Sequence, residues 1–106
     1  MKILSMDTMK GGWFVGDFDP TAHKTDKFEV CYKVHQKNEV WPAHYHPIAT
    51  EINYLISGEM IIQKKQLKSG DIFILYPYEV ADPTFQTECK LIVVKTPSKH
   101  GDKVEV

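Results

Sequence analysis

The 106-residue chain contains no arginine; all 13 of its basic residues are lysine. The planar guanidinium fork that reads guanine edges, or grips phosphate and carboxylate with two parallel bonds, is therefore missing. A net charge of -1 adds no electrostatic pull towards nucleic acid or anionic lipid. Neither nucleic acid nor a membrane surface is expected as a partner. An anionic substrate would have to be met by lysine, backbone amides or a metal. Cysteine is scarce: Cys31 and Cys89 stand far apart and form no CxxC pair, so a thiol zinc knuckle or redox motif has no support. Two part-buried, reduced thiols are expected instead. Uncharged apolar runs such as Ile72 to Tyr78 fall far short of the roughly 20 residues a membrane helix needs. Asp7 arrives before any apolar leader segment could form, which predicts a cytoplasmic protein without a secretory signal.

What remains is ordinary globular composition, 42% hydrophobic and 25% charged, enough at this length for one domain. The stretch 1–27 holds Gly11, Gly12, Gly16 and Pro20 among Trp13, Phe14 and Phe18. Glycine and proline interrupt any helical period, so irregular structure with one short strand is expected, serving as packing or as a dimer arm. From Phe28 the pattern alternates: Phe28, Val30, Tyr32 and Val34 against Glu29, Cys31, Lys33 and His35, a half-buried strand. Further runs of strand length, Glu51 to Ile56, Glu59 to Gln63, Asp71 to Leu75 and Lys90 to Lys95, end at Gly, Lys-Lys or Pro punctuation. No window of a dozen residues keeps an amphipathic helical period. The prediction is all-β, a sandwich or closed antiparallel barrel with its core over about 28–97 and a polar extended tail over 98–106.

The chemistry-bearing cluster is His44-Tyr45-His46, followed by Glu51 and Gly58. Residues two apart in a strand point to one face, so His44 and His46 can aim both imidazoles at a common point. Glu51 can bring a carboxylate there from the start of the next strand, and Gly58 frees the backbone for the turn that follows. Two imidazoles and a carboxylate on one face form a facial triad suited to ferrous iron, and manganese, nickel, cobalt or zinc could take the same set.

These residues resemble the first motif of the cupins: HxH, three or four residues, E, six residues, G. The second cupin motif, G, five residues, PxG, two residues, H, is similar to the segment from Gly70 to Pro77, with one residue too many before the proline. The resemblance covers about 28–97. It implies a small jelly-roll barrel of two packed antiparallel sheets, a divalent metal near one mouth, frequent homodimers, and dioxygenase, isomerase, epimerase or decarboxylase chemistry. The histidine of the second motif is absent. Anchored on Pro77, the motif puts Asp82 at the ligand position; anchored on Gly70, it puts Ala81 there. A one-residue slip exchanges the two faces of a strand, so the choice matters. The proline register, with the surplus residue absorbed as a bulge, is the one expected here. The metal set is then His44, His46, Glu51 and Asp82, with Glu51 doubling as proton carrier. The alternatives are three protein ligands with water filling the rest, and a polar pocket without metal.

Other residues follow from parity. Asn53 and Leu55 share the inward face of Glu51, so Asn53 either bonds a ligand or is a satisfied buried amide. Tyr32 and Tyr76, with Tyr78 and Phe85, furnish either pocket walls for substrate or plain core. Trp41 covers the mouth or packs; Lys64, Lys65 and Lys68 mark a solvated hairpin tip; His100 lies at the surface. Two functions stay open: a metal-dependent enzyme acting on a small polar organic substrate, and a non-catalytic module binding a sugar or carboxylate without essential metal.

Overall fold

Eleven strands and no α-helix carry the chain in the computed structural model, which describes residues 1–106. They are β1 (Trp13–Gly16), β2 (His23–Lys24), β3 (Glu29–His35), β4 (His44–Tyr45), β5 (Thr50–Ser57), β6 (Glu59–Ile62), β7 (Lys65–Lys68), β8 (Ile72–Leu75), β9 (Thr84–Phe85), β10 (Cys89–Thr96) and β11 (Val104–Glu105). A six-stranded sheet runs β2-β1-β3-β10-β5-β8; a three-stranded sheet β7-β6-β9 and the pair β11-β4 complete the barrel. All pairings are antiparallel except β1 with β2. One core joins the sheets: Cys31, Leu55, Leu91 and Val93 from the large sheet pack with Met60, Ile62 and Phe85 from the small one. The expected all-β jelly roll is what the chain adopts.

Register makes the two faces of the large sheet legible. Cross-strand partners line up as Ile72–Tyr54–Ile92–Tyr32 and Ile74–Ile52–Val94–Val30 on the outside. Inside run Phe73–Asn53–Val93–Cys31 and Leu75–Glu51–Lys95–Glu29. The strand Glu29–His35 is thus turned opposite to what its hydrophobic alternation implied. Glu29, Cys31 and His35 are buried, whereas Phe28 and Val34 are exposed. Carboxylate, thiol and imidazole face the interior because polar partners wait there, and the apolar set is left on the outer surface.

Two turns explain local sequence choices. Gly58, between β5 and β6, has φ +113, and a Cβ there would lie 2.4 Å from the Glu88 carbonyl oxygen. Any side chain would collide with backbone. Gln63 and Lys64, between β6 and β7, both take positive φ (49 and 61), the left-handed pair of a two-residue hairpin turn made without glycine.

Both chain ends are tied to the barrel. Trp13 and Phe18 pack edge to face with ring centroids 6.4 Å apart and line the barrel cavity. Val104 and Glu105 pair with Tyr45 and His44, and Asp102 is buried.

Candidate functional site

β4 places His44 at the barrel wall, and His46 follows one residue past its end. Its backbone exchanges hydrogen bonds with Ala81: His44 N–H donates to the Ala81 carbonyl (3.1 Å) and Ala81 N–H to the His44 carbonyl (2.7 Å). His44 and His46 are both 6% exposed, with ring centroids 5.1 Å apart. Each commits its Nδ1–H to a backbone carbonyl, His44 to Pro42 (3.0 Å) and His46 to Asp102. A carbonyl can only accept, so the tautomer is set and Nε2 carries the free lone pair of each neutral ring. Asp102 also accepts the N–H groups of Ile48 (2.9 Å) and Ala49 (2.8 Å) with its two carboxylate oxygens, pinning the corner between β4 and β5.

Glu51 enters from β5, in the inner row beside Lys95 and Leu75. Its Oε1 lies 3.7 Å from His46 Nε2, and its Oε2 accepts from Asn53 Nδ2 at 3.2 Å. Burial pushes the Glu51 carboxyl upward, but His46, Asn53 and the Lys95 charge together outweigh it and hold the group below the ordinary carboxylate value. The facing carboxylate raises His46 against its own burial, while burial lowers His44. The two neighbouring imidazoles are thus shifted in opposite directions.

His44, His46, Glu51 and Asn53 lie on the wall of a cavity of about 510 Å³, large enough for a small organic molecule. Met60, Leu75 and Phe85 give it apolar walls. Of the residues singled out in the sequence, His44, His46, Glu51, Asn53, Trp41 and Phe85 line this cavity, and Asp82, Tyr32, Tyr76 and Tyr78 do not. Asp82 is exposed, and its Oδ1 accepts the Gln63 N–H at 2.7 Å, steadying the left-handed hairpin turn. The buried Ala81 occupies the inward position instead. The inward position is the one that the Gly70 anchor gives, and Asp82, the ligand expected from the Pro77 anchor, is turned away. Tyr32 stands on the outer face, and Tyr76, 57% exposed, sits in solvent; neither lines the cavity.

Several cavity residues escaped the sequence reading. Glu29, Lys33 and Lys95 point inward, Lys95 Nζ lying 2.9 Å from Glu29 Oε1. His35 stacks on Phe85 (4.2 Å, 13°) and pairs with Glu39. Inverted parity on β3 would have found three of these. Nothing in the sequence signalled Asp102, whose contacts span more than 50 residues. Cys31, fully buried beside this wall, has its thiol pushed up to about 11 by burial and is no nucleophile.

No set of three or more His, Cys, Asp or Glu side chains converges to ion-holding distance as the side chains stand. The donor chemistry nevertheless fits a divalent ion. Two imidazoles present tautomer-fixed Nε2 atoms, a carboxylate adjoins them, and His46 Nε2 is the one buried side-chain nitrogen or oxygen without a hydrogen-bond partner.

This barrel with its polar wall has the double-stranded β-helix fold, the fold of the small cupins. A double-stranded β-helix protein from Klebsiella pneumoniae superposes with a TM-score of 0.73 at 21% identity, covering 99% of this chain and 91% of that one. KdgF from Halomonas gives 0.62 at 16% identity, covering 71% and 74%. Pac13, a nucleoside dehydratase, gives 0.67 at 10% identity over 80% and 72%; its Streptomyces variants are solved with uridine. No protein-family model matches the chain. No curated protein matches it either. No helix is long and apolar enough to cross a membrane.

Proposed function

We propose that this chain binds a small polar organic molecule inside the barrel, beside a divalent metal held by His44, His46 and Glu51. Dioxygenase- or isomerase-type chemistry on that molecule follows. The observation that carries this reading is His46 Nε2, buried, unpartnered and placed on the cavity wall next to a carboxylate. Iron(II), manganese, nickel or zinc each suits two imidazoles and one carboxylate. Bound there, the ion supplies Lewis-acid polarisation of a substrate oxygen. The chain supplies the rest. Asn53 holds Glu51 by its Oε2, leaving Oε1 turned to His46 and able to take a proton from a bound molecule. Leu75, Val93 and Phe73 keep water from the apolar side of the cavity. A neighbour of the same fold that accommodates uridine supports a small organic ligand as the occupant.

Metal content of protein purified without chelator tests the reading. Stoichiometric metal that disappears in His44→Ala and survives in Asp82→Ala is the expected result. Wild-type protein that carries no metal and takes up none at micromolar concentration removes it. The second reading, a non-catalytic module binding a sugar or carboxylate without metal, is favoured by Ala81, which offers no donor where a fourth ligand would stand.

We further propose a homodimer through the outer face of the large sheet. There Ile52, Tyr54, Ile72 and Ile74 are 37–68% exposed, in continuous rows with Ile92 and Val94. Exposed apolar rows of this extent are characteristic of an interface. A second copy of the same apolar face is the partner whose chemistry matches it, and a cytoplasmic site is consistent with two reduced, buried thiols.

A further inference from the structure

Five aromatic and cationic side chains form a ladder along one cavity wall. Lys95 Nζ lies 4.8 Å from the Trp13 ring centroid, and Lys33 Nζ lies 6.0 Å from Trp13 and 5.8 Å from Trp41. Lys103 Nζ follows at 5.3 Å from Trp41. Lys95 is neutralised by Glu29, whose other oxygen accepts the Ser98 hydroxyl. Lys33 and Lys103 have no carboxylate partner. The carboxylates that line the cavity are already committed: Glu29 to Lys95, Glu51 facing His46, and Asp19 to Lys24. The wall therefore carries uncompensated positive charge. Lys33 is the informative member, because it projects from the inward face of β3 with Glu29, Cys31 and His35. A half-buried ammonium between two indole faces is partly desolvated and held in place, with N–H donors left to offer.

We infer that the ligand of this cavity carries an anionic group, a carboxylate or a phosphate, received by Lys33 between Trp13 and Trp41 with Lys103 beside it. The inference rests on the reading above only in taking the barrel cavity as the ligand site. It adds a substrate class: a molecule with a polar end for the His44, His46 and Glu51 wall and a charged end for the lysines. Lysine acts here as a point charge, so either anion chemistry is accommodated.

Trp13 and Trp41 are the only tryptophans of the chain and both flank Lys33, so intrinsic fluorescence reports the event directly. The probes are benzoate, its uncharged isostere benzamide, and inorganic phosphate, titrated into wild-type, Lys33→Gln and Lys103→Gln proteins. Circular dichroism and melting curves check the fold of each variant. A saturable change with benzoate or phosphate, and at least a tenfold weaker one with benzamide, is expected. Loss of the charge at Lys33 weakens anion binding roughly tenfold, the scale of one charge-assisted contact, and added salt weakens it further. Stronger response to benzoate assigns a carboxylate ligand and stronger response to phosphate a phosphorylated one; both support the inference. It is overturned by no saturable response to either anion, by equal binding of benzoate and benzamide, or by a folded Lys33→Gln protein that binds as the wild type does. Should Lys33→Gln fail to fold, the exposed Lys103→Gln decides in the same way. Repeating the titration on chelator-treated protein separates the two readings. Anion binding without metal stands if the metal site fails, and metal uptake by Lys33→Gln stands if anion binding fails.

Discussion

The inner and outer faces of the large sheet come from the same four strands, β3, β10, β5 and β8, yet they carry opposite chemistry. Outside, eight apolar side chains meet in two cross-strand rows, Ile72–Tyr54–Ile92–Tyr32 and Ile74–Ile52–Val94–Val30. Inside, one row reads Leu75–Glu51–Lys95–Glu29. A sheet whose only task was to bury a core would place these the other way round. The inversion teaches that the interior is only partly a core. Leu55, Leu91, Met60 and Phe85 close one region of the barrel, while His44, His46, Glu51 and the lysines keep another polar. The apolar surplus has been moved to the outside, where a second copy can cover it.

Substitutions on the two faces should have the largest and most different effects. Leu55, fully buried on the inner face, should cost about 2–5 kcal/mol as Leu55→Ala in urea unfolding, through lost burial and the cavity left behind. Ile74→Lys on the outer face should leave monomer stability within about 0.5 kcal/mol and instead halve the mass seen by light scattering. Equal stability losses on both faces would erase the distinction, and an unchanged mass would remove the dimer. Next comes the tail. Asp102→Ala leaves the Ile48 and Ala49 N–H groups without their acceptors, and a loss of about 1–3 kcal/mol is expected. Metal or ligand affinity should fall alongside, because the Asp102 segment also orients His46; a variant as stable as wild type would show the tail to be dispensable. The smallest effect belongs to Asp82→Ala. Releasing the Gln63 N–H at an exposed turn should cost about 1 kcal/mol in thermal unfolding, with metal content and ligand binding unchanged.

Much of the fold was legible because period-two alternation and glycine punctuation are local signals. The strands Glu51–Ile56, Glu59–Gln63, Asp71–Leu75 and Lys90–Lys95 appear within two residues of their expected ends. The inward parity of Asn53 and Leu55 followed from Glu51 and holds in the structure. What misled was the assumption that the apolar side of an alternating strand faces in. It turned Tyr32 towards the cavity when the structure puts Glu29, Lys33 and His35 there. The inward position lies one residue before Asp82, at Ala81. The alignment of a degenerate motif could slide, whereas the paired hydrogen bonds between His44 and Ala81 cannot.

From its residues alone the chain determined an all-β barrel and the meeting of His44, His46 and Glu51 on one side of it. Strand periodicity and a seven-residue separation at most suffice for that. Tertiary structure alone decided which face of β3 is inside, that Ala81 and not Asp82 looks inward, that the Asp102 carbonyl holds His46, and that the Lys33 ladder lines the cavity. These depend on pairings between segments tens of residues apart. No local pattern encodes them, because each side chain takes its orientation from the strand laid beside it.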